Sequence, residues 1–118
     1  MEVRNLADAV AFTTTDGSTI RSLLDLSVAP VRLQSLAEAS LEPGQATEAH
    51  HHRLSEEIYY LLEGEGLMDV DGEVRRVGPG DAVLIPPGAR HQITNDGGAT
   101  LRFLCCCAPP WTAEDTYF

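Results

Sequence analysis

The stretch EAHHHRLSEEIYYLLEGEG, Glu48 to Gly66, decides how this chain is read. It sets three consecutive histidines, His50, His51 and His52, and two adjacent glutamates, Glu56 and Glu57, against a run rich in strand-forming residues, Ile58 to Leu62. Side chains alternate between the two faces of a strand, so His50 and His52 point one way and His51 the other. A bend through Arg53 to Ser55 returns Glu57 to the inward face. Tyr59 and Leu61 follow it inward, while Glu56 and Tyr60 face out. Titratable side chains therefore alternate into the core itself.

The rest of the chain extends this pattern in both directions. Val31 to Leu41 alternates with period two and reads as a half-buried strand ending at Pro43-Gly44. Gly64 and Gly66 mark a bend or bulge. Leu67 to Val70 and Val74 to Val77 flank Asp71-Gly72, a short hairpin signal. Ala82 to Ile85, His91 to Thr94 and Leu101 to Cys107 read as further short strands, cut by Pro86-Pro87-Gly88, Asn95 to Gly98 and Pro109-Pro110. Thr112 is placed to cap a last helical turn. Helical spacing is confined to Thr19 to Leu26, which predicts a short helical turn in an N-terminal arm. Many short strands with frequent turns and almost no helix define an all-β sandwich or barrel.

The 118 residues fit one domain: residues 1–30 as an arm packing on the barrel, residues 31–118 as the barrel. A formal charge of −10 argues against nucleic acid and anionic membranes, both polyanions. The segment before residue 31 is also too short and acidic for a helix-turn-helix. No apolar run is long enough to cross a bilayer, and no signal peptide is visible. The three adjacent cysteines, Cys105 to Cys107, suit a reduced, cytoplasmic protein.

Two histidines at i and i+2, a carboxylate and a third histidine from a distant strand suit a divalent transition metal. In an octahedral sphere such a set leaves positions open, as catalytic metals require. Gly44 to Gly64 reads G-x5-H-x-H-x4-E-x6-G, and Gly80 to Asn95 reads G-x5-P-x-G-x2-H-x3-N. The chain resembles the cupin family, whose two motifs are both complete here. The resemblance implies a jelly-roll β-barrel (a double-stranded β-helix) with one metal per chain held by His50, His52, Glu57 and His91. It also implies a homodimer.

Ligand types leave the metal open among Fe, Mn, Ni, Zn and Cu. Leu33, Tyr59, Leu61, Ile93 and Phe103 are expected to line an interior suited to a small oxygenated molecule. The expected function is a metal-dependent oxygenase, lyase or isomerase, with Tyr59 as candidate catalytic residue. The alternative is a non-catalytic small-ligand or metal-binding module. Cys105 and Cys107 read as small buried apolar side chains, with a thiol beside the metal as the alternative. Arg90 and Arg102 alternate away from the site.

Overall fold

A computed structural model describes all residues, 1–118. Eleven strands run in order: β1 (Phe12–Thr13), β2 (Thr19–Leu24), β3 (Ser35–Leu41), β4 (His51–His52), β5 (Glu56–Glu63), β6 (Gly66–Val70), β7 (Glu73–Val77), β8 (Ala82–Ile85), β9 (His91–Thr94), β10 (Leu101–Ala108) and β11 (Thr116–Tyr117). Helix is limited to two 3-10 turns, Leu6–Asp8 and Ala113–Asp115. No helix is long and apolar enough to cross a membrane.

Six strands form one antiparallel sheet in the order β1-β2-β3-β10-β5-β8. A second sheet, β7-β6-β9, and the short pair β11-β4 complete the jelly roll. Inward residues of both large sheets build one core, including Ala39, Leu41, Leu61, Met68, Ile93, Leu101 and Phe103. The alternation read from the sequence is visible in β5, where Glu57, Tyr59 and Leu61 are buried and Glu56, Ile58 and Tyr60 are exposed. Asp71 (φ 50°) and Gly72 (φ 87°) make the tight β6–β7 turn, whose two left-handed residues match the twist of the strands. Gly64 combines φ 76° with a close approach, since a Cβ there would lie 2.6 Å from the Thr100 carbonyl oxygen.

Three expectations for the first forty residues are corrected. Thr19 to Leu26 is not helical, because Thr19–Leu24 is strand β2, paired with β1 and β3. The spacing of Ile20, Leu23 and Leu24 fits a helix, but the open edge of β3 satisfies the backbone as a strand, and tertiary pairing overrides the local pattern. The helical turn of the arm is Leu6–Asp8, where Asn5 Oδ1 accepts from Ala7 N at 2.8 Å. The strand expected from Val31 begins at Ser35, where the ladder with β10 ends opposite Cys107. Leu33 is 80% exposed and lines nothing.

Glu38 alternates to the outer face, yet it is buried there. Arg21 on β2 and Arg102 on β10 close over it, with Arg21 Nη1 3.7 Å from Oε1 and Arg102 Nε donating to Oε2 at 3.2 Å.

Candidate metal centre

His50 precedes β4 and lies directly across from His91 at the start of β9. The two exchange both backbone hydrogen bonds, His50 N to His91 O at 3.1 Å and His91 N to His50 O at 2.8 Å. Residues so paired carry their side chains on the same face. Thr47 locks the register, because its Oγ1 accepts from Ile93 N and its N donates to Ile93 O, each at 3.0 Å. The turn at Pro86-Pro87-Gly88 brings His91 in, and Gly88 N donates to the His52 carbonyl.

His52 and Glu57 are joined by a bend that the sequence announced without explaining. Asp115 Oδ1 accepts from Arg53 N and Leu54 N, and its Oδ2 accepts from Ser55 N, each at 3.0 Å. Ser55 Oγ donates to Pro109 O at 2.8 Å. The C-terminal segment thus splints the loop between two of the four converging residues. Sequence reading found the Thr112-capped turn that carries Asp115, but nothing local linked that turn to residue 53.

The four residues named from the motifs, His50, His52, Glu57 and His91, are all buried, and one donor atom from each lies within 4.8 Å of the others. The histidines share one orientation. Each Nδ1 faces a backbone carbonyl: His50 to Glu48 O at 2.7 Å, His52 to Asp115 O at 3.1 Å and His91 to Ala89 O at 3.0 Å. A carbonyl only accepts, so Nδ1 carries the proton and Nε2 of the neutral ring presents a lone pair inward. Nε2 of His52 and of His91 lies 3.4 and 3.3 Å from Glu57 Oε1. These three buried atoms have no hydrogen-bond partner.

A cluster of buried acceptors facing one another is unfavourable without a cation between them. Imidazole nitrogens backed by carbonyls, together with one carboxylate oxygen, are the donor set of a divalent transition metal, so the residues present fit such an ion.

In the absence of a cation the same groups stabilise one another's charged forms. Burial alone would push the Glu57 carboxyl up, but His52 and His91 beside it hold it down at about 2. Burial and the neighbouring histidines lower His50, despite its bond to Glu48. Burial would lower His52 too, but Glu57 raises it overall.

Tyr59 lies on the same face of β5 as Glu57, packed on Phe103 (4.6 Å between ring centroids) and edge-on to His91 (6.0 Å). Burial, with the Glu57 charge, pushes its phenol well above the ordinary value, so at neutral pH it is a hydrogen-bond donor and not a base. Cys107 Sγ donates to Glu57 Oε2 at 3.2 Å, leaving Oε1 to face the histidines. The thiol read mainly as core packing therefore also touches the cluster. Burial raises Cys107 and Cys105, so both stay protonated. His51 turns away and stacks on Tyr117, and Glu56 is exposed.

The cluster opens on a cavity of about 70 Å³ over the inner face of the large sheet, lined among others by Asp16, Tyr59, Phe103, Cys105 and Trp111. One water needs roughly 10–15 Å³ on this scale, so several waters or a ligand of a few heavy atoms fit. Asp16 was not anticipated as a site residue. Asp16-Gly17-Ser18 reads as a turn, and only the return of β2 onto the large sheet brings that turn over His50.

The cupin domain family model matches residues 37–107. A protein of Methanocaldococcus jannaschii, MJ1618, is 49% identical over 105 residues, which is 89% of this chain and 84% of that one. An oxalate-binding protein of Thermotoga maritima is 37% identical over 68 residues, covering 58% of this chain and 56% of its own length. Among solved structures, the polyketide cyclase RemF of Streptomyces resistomycificus superposes with a TM-score of 0.80 at 30% identity, covering 98% of this chain and 89% of that one.

Proposed function

This chain belongs to the cupin family, and from that premise we propose that His50, His52, Glu57 and His91 hold one divalent transition metal at which a small oxygenated organic molecule binds and reacts. The observation that carries the reading is the shared tautomer: three Nδ1–H groups tied to carbonyls, with the Nε2 atoms of His52 and His91 turned toward one carboxylate and a donor atom of His50 within 4.8 Å of theirs. A metal bound there supplies Lewis acidity toward a carbonyl or hydroxyl oxygen. The chain's own groups do the rest. Tyr59 offers a protonated phenol beside the cluster, and Phe103 and Trp111 give the cavity apolar walls. The reaction class is an oxygenase, lyase or isomerase, in keeping with the likeness to a polyketide cyclase.

The oxalate-binding relative supports a second reading, a module that binds its ligand without turnover. One experiment separates the two. Metal-loaded and metal-stripped protein are incubated with a panel of small hydroxy-, keto- and carboxylic acids and sugars, followed by NMR and an oxygen electrode. Metal-dependent product formation supports the enzyme. Metal-dependent binding without product supports the module, and neither binding nor product with a loaded site rejects both.

The outer face of the large sheet carries Leu36, Ile58, Leu84 and Cys106 in one cross-strand row, with Leu104 and Tyr60 in the next. Ile58, Tyr60 and Leu84 are exposed and the others half-buried; contiguous apolar surface of this kind marks an interaction site, and we propose that a second copy of the chain covers it.

A further inference from the structure

The proposed centre is approached from one side by a carboxylate that no motif contains. Asp16 Oδ2 lies 4.0 Å from His50 Nε2, and the side chain is 13% exposed. Its other oxygen is tied down, with Oδ1 accepting from Ser18 N at 2.9 Å and from Ser18 Oγ at 2.7 Å. The backbone is held too, because Asp16 O accepts from Glu48 N at 2.7 Å, two residues before His50. A residue held by two side-chain hydrogen bonds and one backbone bond, and keeping one free acceptor oxygen, is a preorganised contact.

The rest of the cavity has the same polarity. Its acidic residues are Asp16, Asp25 and Glu57, and no arginine or lysine lines it. The chain has eight arginines and no lysine. Arg21 and Arg102, on strands that wall the cavity, point to the opposite face and pair with Glu38. A dicarboxylate entering here meets two carboxylates besides Glu57 and no cation except the metal. The Glu57 and Asp16 charges already offset those of a divalent ion.

Resting on the metal-site reading above, we propose that Asp16 is a specificity-determining residue: its free oxygen accepts a hydrogen bond from a hydroxyl of the bound molecule. The substrate class is then an uncharged hydroxy-carbonyl compound, and dicarboxylates are excluded. Like-charge placement rejects the wrong ligand, and an unpaired buried acceptor rejects any ligand without a donor.

The test uses zinc-loaded full-length protein with two probes of similar size, hydroxyacetone (neutral, one donor) and oxalate (a dianion, no donor). Dissociation constants come from ligand-observed NMR at one fixed pH, for the parent, Asp16→Asn and Ser18→Ala. Asp16→Asn keeps an oxygen for Ser18 while replacing the free acceptor by a donor. The ratio of the two constants is expected to move toward oxalate by about tenfold or more in Asp16→Asn, the size of one good polar contact. Ser18→Ala, which only loosens the tether, moves it the same way by less.

Zinc content is measured on all three proteins first. A parent that takes up no zinc overturns the metal-site reading and this inference together. A loaded parent whose ratio is unchanged in Asp16→Asn overturns this inference alone. So does loss of zinc from Asp16→Asn, which would make the residue a ligand.

Discussion

Glu57 is the residue on which the site turns. Its Oε1 faces two imidazoles and its Oε2 accepts from Cys107, so the carboxylate presents one oxygen to the cluster by construction. Groups that orient a ligand in this way typically change metal affinity by about 10- to 100-fold when removed. Cys107→Ala is therefore expected to weaken metal binding by about tenfold in a competition titration with a chelator, and Cys107→Ser, which keeps a donor, to restore most of it. Equal effects of the two would mean that Cys107 acts by packing. Tyr59→Phe should leave metal content unchanged, since the phenol contributes no atom to the cluster; metal loss there would place its hydroxyl on the ion.

At this scale the sequence was most informative. Spacing and alternation located His50, His52, Glu57 and His91 and chose Glu57 over Glu56. Asp16 and Asp115 escaped because each acts across more than thirty residues of chain, through contacts that topology alone creates.

The element that matters most is the bend from Arg53 to Ser55. Three successive amides converge on the Asp115 carboxylate, which also fixes the backbone whose carbonyl receives His52 Nδ1. Bonds to a charged group contribute roughly 1.5–3 kcal/mol each when buried, and they are not additive. Asp115→Ala should cost about 3 kcal/mol and lower metal affinity as well, measured by denaturant melts and the same chelator titration.

The pH dependence has a definite sign. Burial would raise the Asp115 carboxyl, but the amides of Ser55, Leu54 and Arg53 lower it below its usual 3.8. A carboxyl lowered by folding contributes its full stability above its unfolded value and loses it as pH falls through the folded one. The gap in melting temperature between parent and Asp115→Ala should be widest near neutrality and close as pH drops below the ordinary carboxylate range. A gap that persists in acid would mean the side chain acts by shape and not by charge. The misread element, β2, teaches the complementary lesson. Its local spacing suits a helix, and only the unpaired edge of β3 makes it a strand.

For the whole molecule, the large sheet has one face in the core and the other bearing Ile58 (41% exposed) opposite Leu84 (57% exposed). In the proposed dimer that row is buried, and Leu84→Asp would force a charge into it. Sedimentation should give a dimer for the parent and a monomer for Leu84→Asp with metal content intact. A monomeric parent would contradict the pairing. The architecture itself was legible from the density of turns and the period-two runs. What the sequence left open was which outer surface stays apolar, because that depends on strand order, here β3-β10-β5-β8.

The central claim is that imidazoles from β4, β9 and the segment before β4 meet Glu57 around one cation. Elemental analysis of protein purified without a histidine tag, alongside His91→Ala, tests it most directly. The account predicts about one transition-metal ion per chain in the parent and near-complete loss in the variant. Equal metal content in the two proteins, or a parent that stays metal-free after incubation with excess metal, would contradict it.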